Sequence, residues 1–286
     1  ADFAVEYVQH MEANFAKKSA SAARTALNSL RDSLNSDTLL RDITVLDVER
    51  WKTSLLGSRS SNTVSIYFRC LHAAFNRAKR WEYVELNPFN KAEKPREDRK
   101  EGVRYLSGEE IGILRDAVRG EDPRFEMMLS FYLYTGMRRN ELIHLEWSDI
   151  DAVERQIAVE SYKPKWDHRT KNRRSRQIPI CDKLMELIQS LEAERDSDAK
   201  LREIPLVFPV YRPGKDNSIS AHDRPFTGHA VTRKLSRLVT ELNLDKTYTI
   251  HSLRHTFASR LVQHGTSLYI VGRLLGHTSP EVTKIY

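Results

Sequence analysis

The last ten positions of this 286-residue chain read His277-Thr-Ser-Pro-Glu-Val-Thr-Lys-Ile-Tyr286, and Thr249-Ile-His251-Ser-Leu-Arg254-His255 stands a short way upstream. Earlier comes Thr135-Gly136-Met137-Arg138-Arg139-Asn140-Glu141. These segments offer arginines from two separate places, histidines that exchange protons near neutral pH, and one phenol. Attack on a phosphodiester needs such a set. The substrate is anionic, and its transition state spreads more charge over the non-bridging oxygens, so fixed cations and a proton donor for the leaving oxygen are required. Arginine is always charged, and its fork matches phosphate oxygens. A phenol has a reference pKa of about 10 and needs nearby cations or a base before it can act as a nucleophile.

Each piece alone has a plainer explanation. Arg138 could be a helix-start arginine paired with Glu141, His251 a capping residue, Leu275-Gly276-His277 a helix end, and Tyr286 a half-buried packing residue. His277 follows Arg254 by 23 positions, and Tyr286 follows His277 by 9. His251 and Arg254 are three apart, so both project from one face of a helix start. Glu141 sits one turn from Arg138 and is placed to orient it. Arg139 reads as solvent-facing, and His255 as a packing or capping residue. His251, His255 and His264 lack a carboxylate or cysteine set at ligand spacing, so no metal is expected.

The elements that must hold these residues can be traced along the chain. An apolar stripe of Phe3, Val5, Tyr7, Val8, Met11 and Phe15 predicts a first helix. A second is expected at about 21–34, and Thr44-Val-Leu-Asp47 resembles a capping box opening a third. A long helix begins near Ser60 or Ser61. Val64, Ile66, Tyr67, Leu71, Ala74, Phe75 and Ala78 face its core and leave Arg69, Arg77, Lys79 and Arg80 outside. Asn87-Pro88 closes this all-helical part, residues 1–90. Residues 91–103 are charged, carry Pro and Gly, and read as a linker. From 104 to 286 the pattern is mainly helical with a small antiparallel sheet. Ser107-Gly-Glu-Glu110 caps a helix to about Val118, another spans about 124–134, and strands are expected at 156–160 and 176–180 around a long polar loop. Helices follow near 182–194, 228–242, 252–263 and 267–275, with Gly265 a stop.

The combination resembles the tyrosine recombinases, the phage-integrase-like family, over nearly the whole chain, in the simple Xer-like layout. Arg138 matches the family's Thr-Gly-x-Arg, His251 and Arg254 its His-x-x-Arg, and His277 and Tyr286 its closing spacing. The resemblance implies a helical, SAM-like core-binding domain and a catalytic domain that clamp DNA from two sides. Tyr286 would be the nucleophile, forming a 3′-phosphotyrosyl bond and freeing a 5′-hydroxyl, with no cofactor, metal or ATP. His251 would take part in proton handling, His277 would donate to a non-bridging oxygen, and Glu141 would support Arg138. A hairpin lysine would protonate the leaving oxygen. Thr170-Lys171-Asn-Arg-Arg-Ser-Arg176 resembles that motif and points to Lys171, with Lys163 and Lys165 as competitors. Site-specific recombination by a homotetramer through a Holliday junction is the implied function, serving integration, excision or resolution. A related recombinase in a hetero-oligomer and a DNA-bending accessory protein are further implied partners. A type IB topoisomerase shares the chemistry as a monomer, and a non-catalytic DNA-binding protein on the same fold is the reading of a different class.

Bulk properties agree with a nucleic-acid partner. The 46 Lys+Arg against 39 Asp+Glu give a net charge of +7. From Arg50 to Trp81 there are seven basic residues and no acid, and from Lys163 to Arg176 seven against Asp167 alone. Arg59, Arg69, Arg77, Lys79 and Arg80 in the first stretch, and Arg173 and Arg174 in the second, are the expected DNA contacts. Only Cys70 and Cys181 occur, which excludes a disulfide framework and fits a reducing compartment. Without a spanning apolar run or signal-peptide pattern, a soluble cytoplasmic protein with no membrane partner is expected. The chain starts on Ala1 and stops on Tyr286, so both ends are expected to be trimmed or missing, which leaves open whether an N-terminal arm-binding domain or a C-terminal tail was removed.

Overall fold

The structure is a computed structural model that describes residues 2–35, 38–96, 102–119, 122–169, 174–213 and 219–286. It divides into two compact units, residues 1–100 and 101–286. No described helix is long and apolar enough to cross a membrane.

The first unit contains α1 (Asp2–Asn14), α2 (Lys17–Arg31), α3 (Val45–Leu56) and α4 (Ser61–Arg80). Thr44 caps α3 as its sequence predicts: its hydroxyl accepts from the Asp47 backbone N–H, and the Asp47 carboxylate accepts from the Thr44 N–H. Ser60 caps α4. The core gathers Phe3, Tyr7, Leu27, Leu30, Trp51, Leu71, Phe75 and Phe89, and a short 3-10 turn after Asn87 inserts Phe89 among the rings of Trp51, Phe68 and Phe75. Ile66, expected inside, is exposed, and Phe68 is buried instead. The two lie on different sides of the helix, and the larger ring takes the core side. Ala92 is buried on this unit and Lys52 Nζ donates to the Glu93 carbonyl, so the chain stays packed beyond Asn90.

The second unit has α5 (Gly108–Arg119), α6 (Pro123–Thr135), α7 (Arg139–Ile143), α8 (Asp182–Ser197), α9 (Ala199–Glu203), α10 (Gly228–Glu241), α11 (Ile250–Gln263) and α12 (Leu268–Leu275). Ser107 and Glu110 form the capping box that opens α5. The strands are β1 (Ile150–Asp151), β2 (Gln156–Val159), β3 (Tyr162–Lys163), β4 (His168–Arg169), β5 (Arg176–Pro179), β6 (Pro209–Pro213) and β7 (Ile219–Pro225). β1, β2 and β5 form an antiparallel sheet in that order, with Ile157 opposite Ile178. Both isoleucines enter one core with Leu129, Phe131, Leu142, Leu184 and Leu253. The polar loop between β2 and β5 is partly ordered by the β3–β4 pair. The β6–β7 hairpin and α9 have no counterpart in the sequence expectation. Their segment lacks an apolar period, and the hairpin is held by its ladder and by the Arg124 guanidinium 3.6 Å over the Tyr211 ring.

Candidate active site

Arg138 owes its place to the turn before it. Gly136 ends α6 with φ 59°, where glycine is favoured, and a Cβ there would stand 2.3 Å from the Phe257 ring. That close approach lays the end of α6 on α11. Arg138 then opens α7. Its backbone N–H donates to Glu141 Oε2 at 2.7 Å, and its Nη1 donates to Oε1 at 2.9 Å. Glu141 is 5% exposed and is gripped from β5 as well: Arg176 Nη2 donates to Oε2 at 2.7 Å and Nη1 to Oε1 at 3.1 Å. Burial alone would raise this carboxyl's pKa. The hydrogen bonds and charge of Arg176, joined by Arg138, overcome it and hold the pKa at about 2.

Arg254 lies in the second turn of α11, whose start Thr249 and Ser252 cap reciprocally. It is 2% exposed, and its Nη1 donates to the Gly136 carbonyl at 2.6 Å. Its Nη2 donates to the Leu275 carbonyl. Arg176 Nε reaches the Leu274 carbonyl at 2.7 Å, and Arg138 Nη2 the Gly276 carbonyl at 3.4 Å. Three guanidinium groups therefore meet the last carbonyls of α12, which have no intrahelical partners and carry the negative end of the helix dipole. Burial, then the charge of Arg138, draws the Arg254 pKa down to about 9, which leaves it charged at pH 7. Three facing cations with one buried carboxylate leave a net positive pocket suited to an anion.

Gly276, in the left-handed conformation at φ 67°, turns the chain out of α12 and delivers His277. The His277 Nδ1 lies 2.8 Å from Thr283 Oγ1. Burial first, then Arg254, Arg138, Arg176 and His255, lowers its pKa to about 4, so the ring is neutral at pH 7. Tyr286 packs half-buried against Phe257, Ala258, Val271 and Leu275. Its phenol oxygen is 2.6 Å from Nδ1 of His255. Burial raises the phenol pKa, and Arg254 opposes that rise.

Arg138, Glu141, Arg254, His277 and Tyr286 are thus brought together from three separate stretches. His251 is exposed in the first turn of α11, its ring edge-on to that of His255 with centroids 5.4 Å apart. His255, expected to pack or cap, is the residue that meets the phenol. Arg139 does not simply face solvent: its Nη1 donates to Thr232 Oγ1 at 2.7 Å, and Gly228 makes room for its guanidinium. Lys171 and Arg173 lie outside the described residues, while Arg174 is exposed. Lys163 is buried, paired with Asp149 and donating to the His144 carbonyl at 2.8 Å. Lys165 pairs with Asp223 at 2.7 Å. On α4, Arg69, Lys79 and Arg80 are exposed, as is Arg59 just before it, and Arg77 is half-buried over the Trp81 ring.

Arg176 and Thr283 were missed as site residues. A signal for Arg176 existed: strand alternation puts it on the same face as buried Ile178, an inward place for a charge. Thr283 carried none.

Residues 104–286 match the phage integrase family, and residues 1–94 match the phage integrase SAM-like domain. The chain belongs to the phage integrase family, the tyrosine recombinases, enzymes of site-specific DNA cleavage and religation. It is 29% identical over 231 residues to a tyrosine recombinase of Thermosipho africanus (strain TCF52B), covering 80% of this chain and 72% of that protein. It is 31% identical over 185 residues to tyrosine recombinase XerD of Halalkalibacterium halodurans, covering 63% of this chain and 56% of the relative. Among solved structures, the Tn1549 transposon integrase in complex with transposon right end DNA superposes with a TM-score of 0.78 at 20% identity, over 99% of this chain and 93% of that one. A lambda integrase tetramer bound to a Holliday junction gives 0.74 at 17%, over 98% and 77%. At these identities the two structures speak for the fold.

Proposed function

We propose that residues 1–90 are a core-binding domain, 91–103 a linker and 104–286 the catalytic domain of a cytoplasmic recombinase acting on double-stranded DNA sites. Arg138 and Arg254 hold the non-bridging oxygens of the scissile phosphate, and His277 donates to one of them. The Tyr286 oxygen attacks phosphorus and forms the new P–O bond. Its proton passes to the histidine side of the pocket, where His255 touches it and His251 lies at the rim. The bond to the 5′ oxygen breaks, and Lys171 gives that oxygen its proton. A 5′-hydroxyl of another strand reverses these steps, so the phosphotyrosyl bond keeps the energy for rejoining and no metal or ATP enters. Losing one arginine would lower the rate by about 10²–10³ or more. Lys163 and Lys165 are each engaged by a carboxylate, which favours Lys171 as the acid.

One observation carries this reading: Arg138 and Arg254, from separate elements, converge with His277 and Tyr286 at the carbonyl end of α12. Arg59, Arg69, Arg77, Lys79 and Arg80 supply phosphate contacts on one unit, and Arg173 and Arg174 on the other. The lambda integrase tetramer on its Holliday junction supports a homotetrameric assembly. A hetero-oligomer with a related recombinase and a DNA-bending accessory protein are compatible additions.

The test is covalent capture. The protein is mixed with fragmented genomic DNA and denatured, and protein-linked fragments are sequenced, with Tyr286→Phe as control. Adducts lost in the control identify the nucleophile and the site. Tight binding with no adduct from either protein would favour a binding-only role.

A further inference from the structure

Thr283 stands three residues before Tyr286 and is 1% exposed. Its hydroxyl is 2.8 Å from Nδ1 of His277, and among the described residues that nitrogen is the hydroxyl's one hydrogen-bond partner. Gly272 of α12 makes room for it, since a Cβ there would lie 2.9 Å from Thr283 Oγ1. The Thr283 carbonyl also accepts from the Tyr286 backbone N–H at 3.2 Å. One buried threonine therefore touches both the histidine ring and the segment that carries the phenol.

We propose that Thr283 is a positioning residue: its hydroxyl donates to Nδ1 of His277 and holds the ring in the Nε2–H tautomer, with that N–H available to the scissile phosphate. The phosphate rests on the recombinase reading above; the Thr283–His277 bond does not. A neutral imidazole has one donor nitrogen and one acceptor. If Nδ1–H donated to Oγ1, the hydroxyl proton would be buried without an acceptor, an unmet donor of the costly kind. With the hydroxyl donating, only lone pairs on Oγ1 stay unmatched. The surroundings favour the same direction. Arg138, Arg176 and Arg254 make the pocket attractive to an anion, and a phosphate oxygen can only accept, so the outward nitrogen must be the one that carries hydrogen. The neutrality this needs agrees with the lowered pKa of His277.

The test compares the wild type with Thr283→Val, which keeps the shape and removes the hydroxyl, and Thr283→Ser, which keeps the hydroxyl. Long-range proton–nitrogen NMR of the His277 ring in the DNA-free protein should show the Nε2–H tautomer in the wild type and the serine variant, and a mixture in the valine variant. Single-turnover cleavage of a nicked recombination site should fall about 10–100-fold in Thr283→Val, by analogy with the loss of a partner that orients a metal-ligating histidine. It should return to within a few-fold in Thr283→Ser, with DNA affinity unchanged. Nδ1–H in the wild type would overturn the proposal, as would Thr283→Val keeping both Nε2–H and the full rate. If the valine variant does not fold, the wild-type and serine spectra decide the matter. If the wild type forms no adduct, the recombinase reading fails while the tautomer still tests this bond.

Discussion

Nδ1 of His255 lies 2.6 Å from the phenol oxygen of Tyr286, so the proposed nucleophile touches a histidine four residues beyond the one its sequence motif singles out. Both histidines are on α11, but His251 is exposed in the first turn and His255 faces the core cluster that receives the tyrosine. The phenol is harder to ionise than usual because it is buried. A contact acceptor is the direct remedy.

His255→Phe should therefore lower single-turnover cleavage at pH 7 by about 10². DNA affinity should be unchanged, and the rate should recover as pH rises and hydroxide takes the phenol proton. An unchanged rate in His255→Phe, with a collapse in His251→Phe, would move proton acceptance to His251.

Glu141 ties the two arginines of the pocket's floor together and is the group most visibly linked to pH. Its folded pKa of about 2 is below the ordinary 4.5, so its stabilisation is fully present above pH 4.5 and is lost as pH falls toward 2. The shift corresponds to about 3 kcal/mol at pH 7. Glu141→Gln should lose stability of that order in denaturant unfolding at pH 7, and the gap to wild type should narrow between pH 4.5 and 2. A gap independent of pH would contradict the ion-pair account.

Lys171→Ala should bind DNA normally and fail to cleave it. Lys163→Ala should behave differently. It leaves Asp149 buried without its cation, which costs about 3–5 kcal/mol of stability. Chemical denaturation and cleavage assays on both variants separate the roles. Cleavage by Lys171→Ala together with a stable but inactive Lys163→Ala would reverse them.

DNA binding should weaken steeply with salt. Arg69→Ala and Arg80→Ala should each reduce the slope of log K against log salt by about 1, whatever the DNA sequence. A slope unmoved by either would remove α4 from the phosphate-contacting surface.

The residues proposed to carry the chemistry are types at fixed intervals, and types and intervals are what a sequence displays. Arg138, His251, Arg254, His277 and Tyr286 are legible for that reason. So are Thr44, Ser60 and Ser107, because a cap acts on its own helix within three residues. The β2–β5 sheet is legible from alternation, whereas β6–β7 is not, since its support is a ladder and a cation over an aromatic ring rather than an apolar period. Only the tertiary structure decided that Arg176 grips Glu141, that His255 meets the phenol, and that three guanidinium groups gather at the end of α12. Those partners are 21 to 138 residues apart along the chain. Hydrogen bonds are fixed by distance and direction in space. Which donor meets which carbonyl is settled only when Gly136 lets α6 close on Phe257 and Gly276 turns the last segment back over α11.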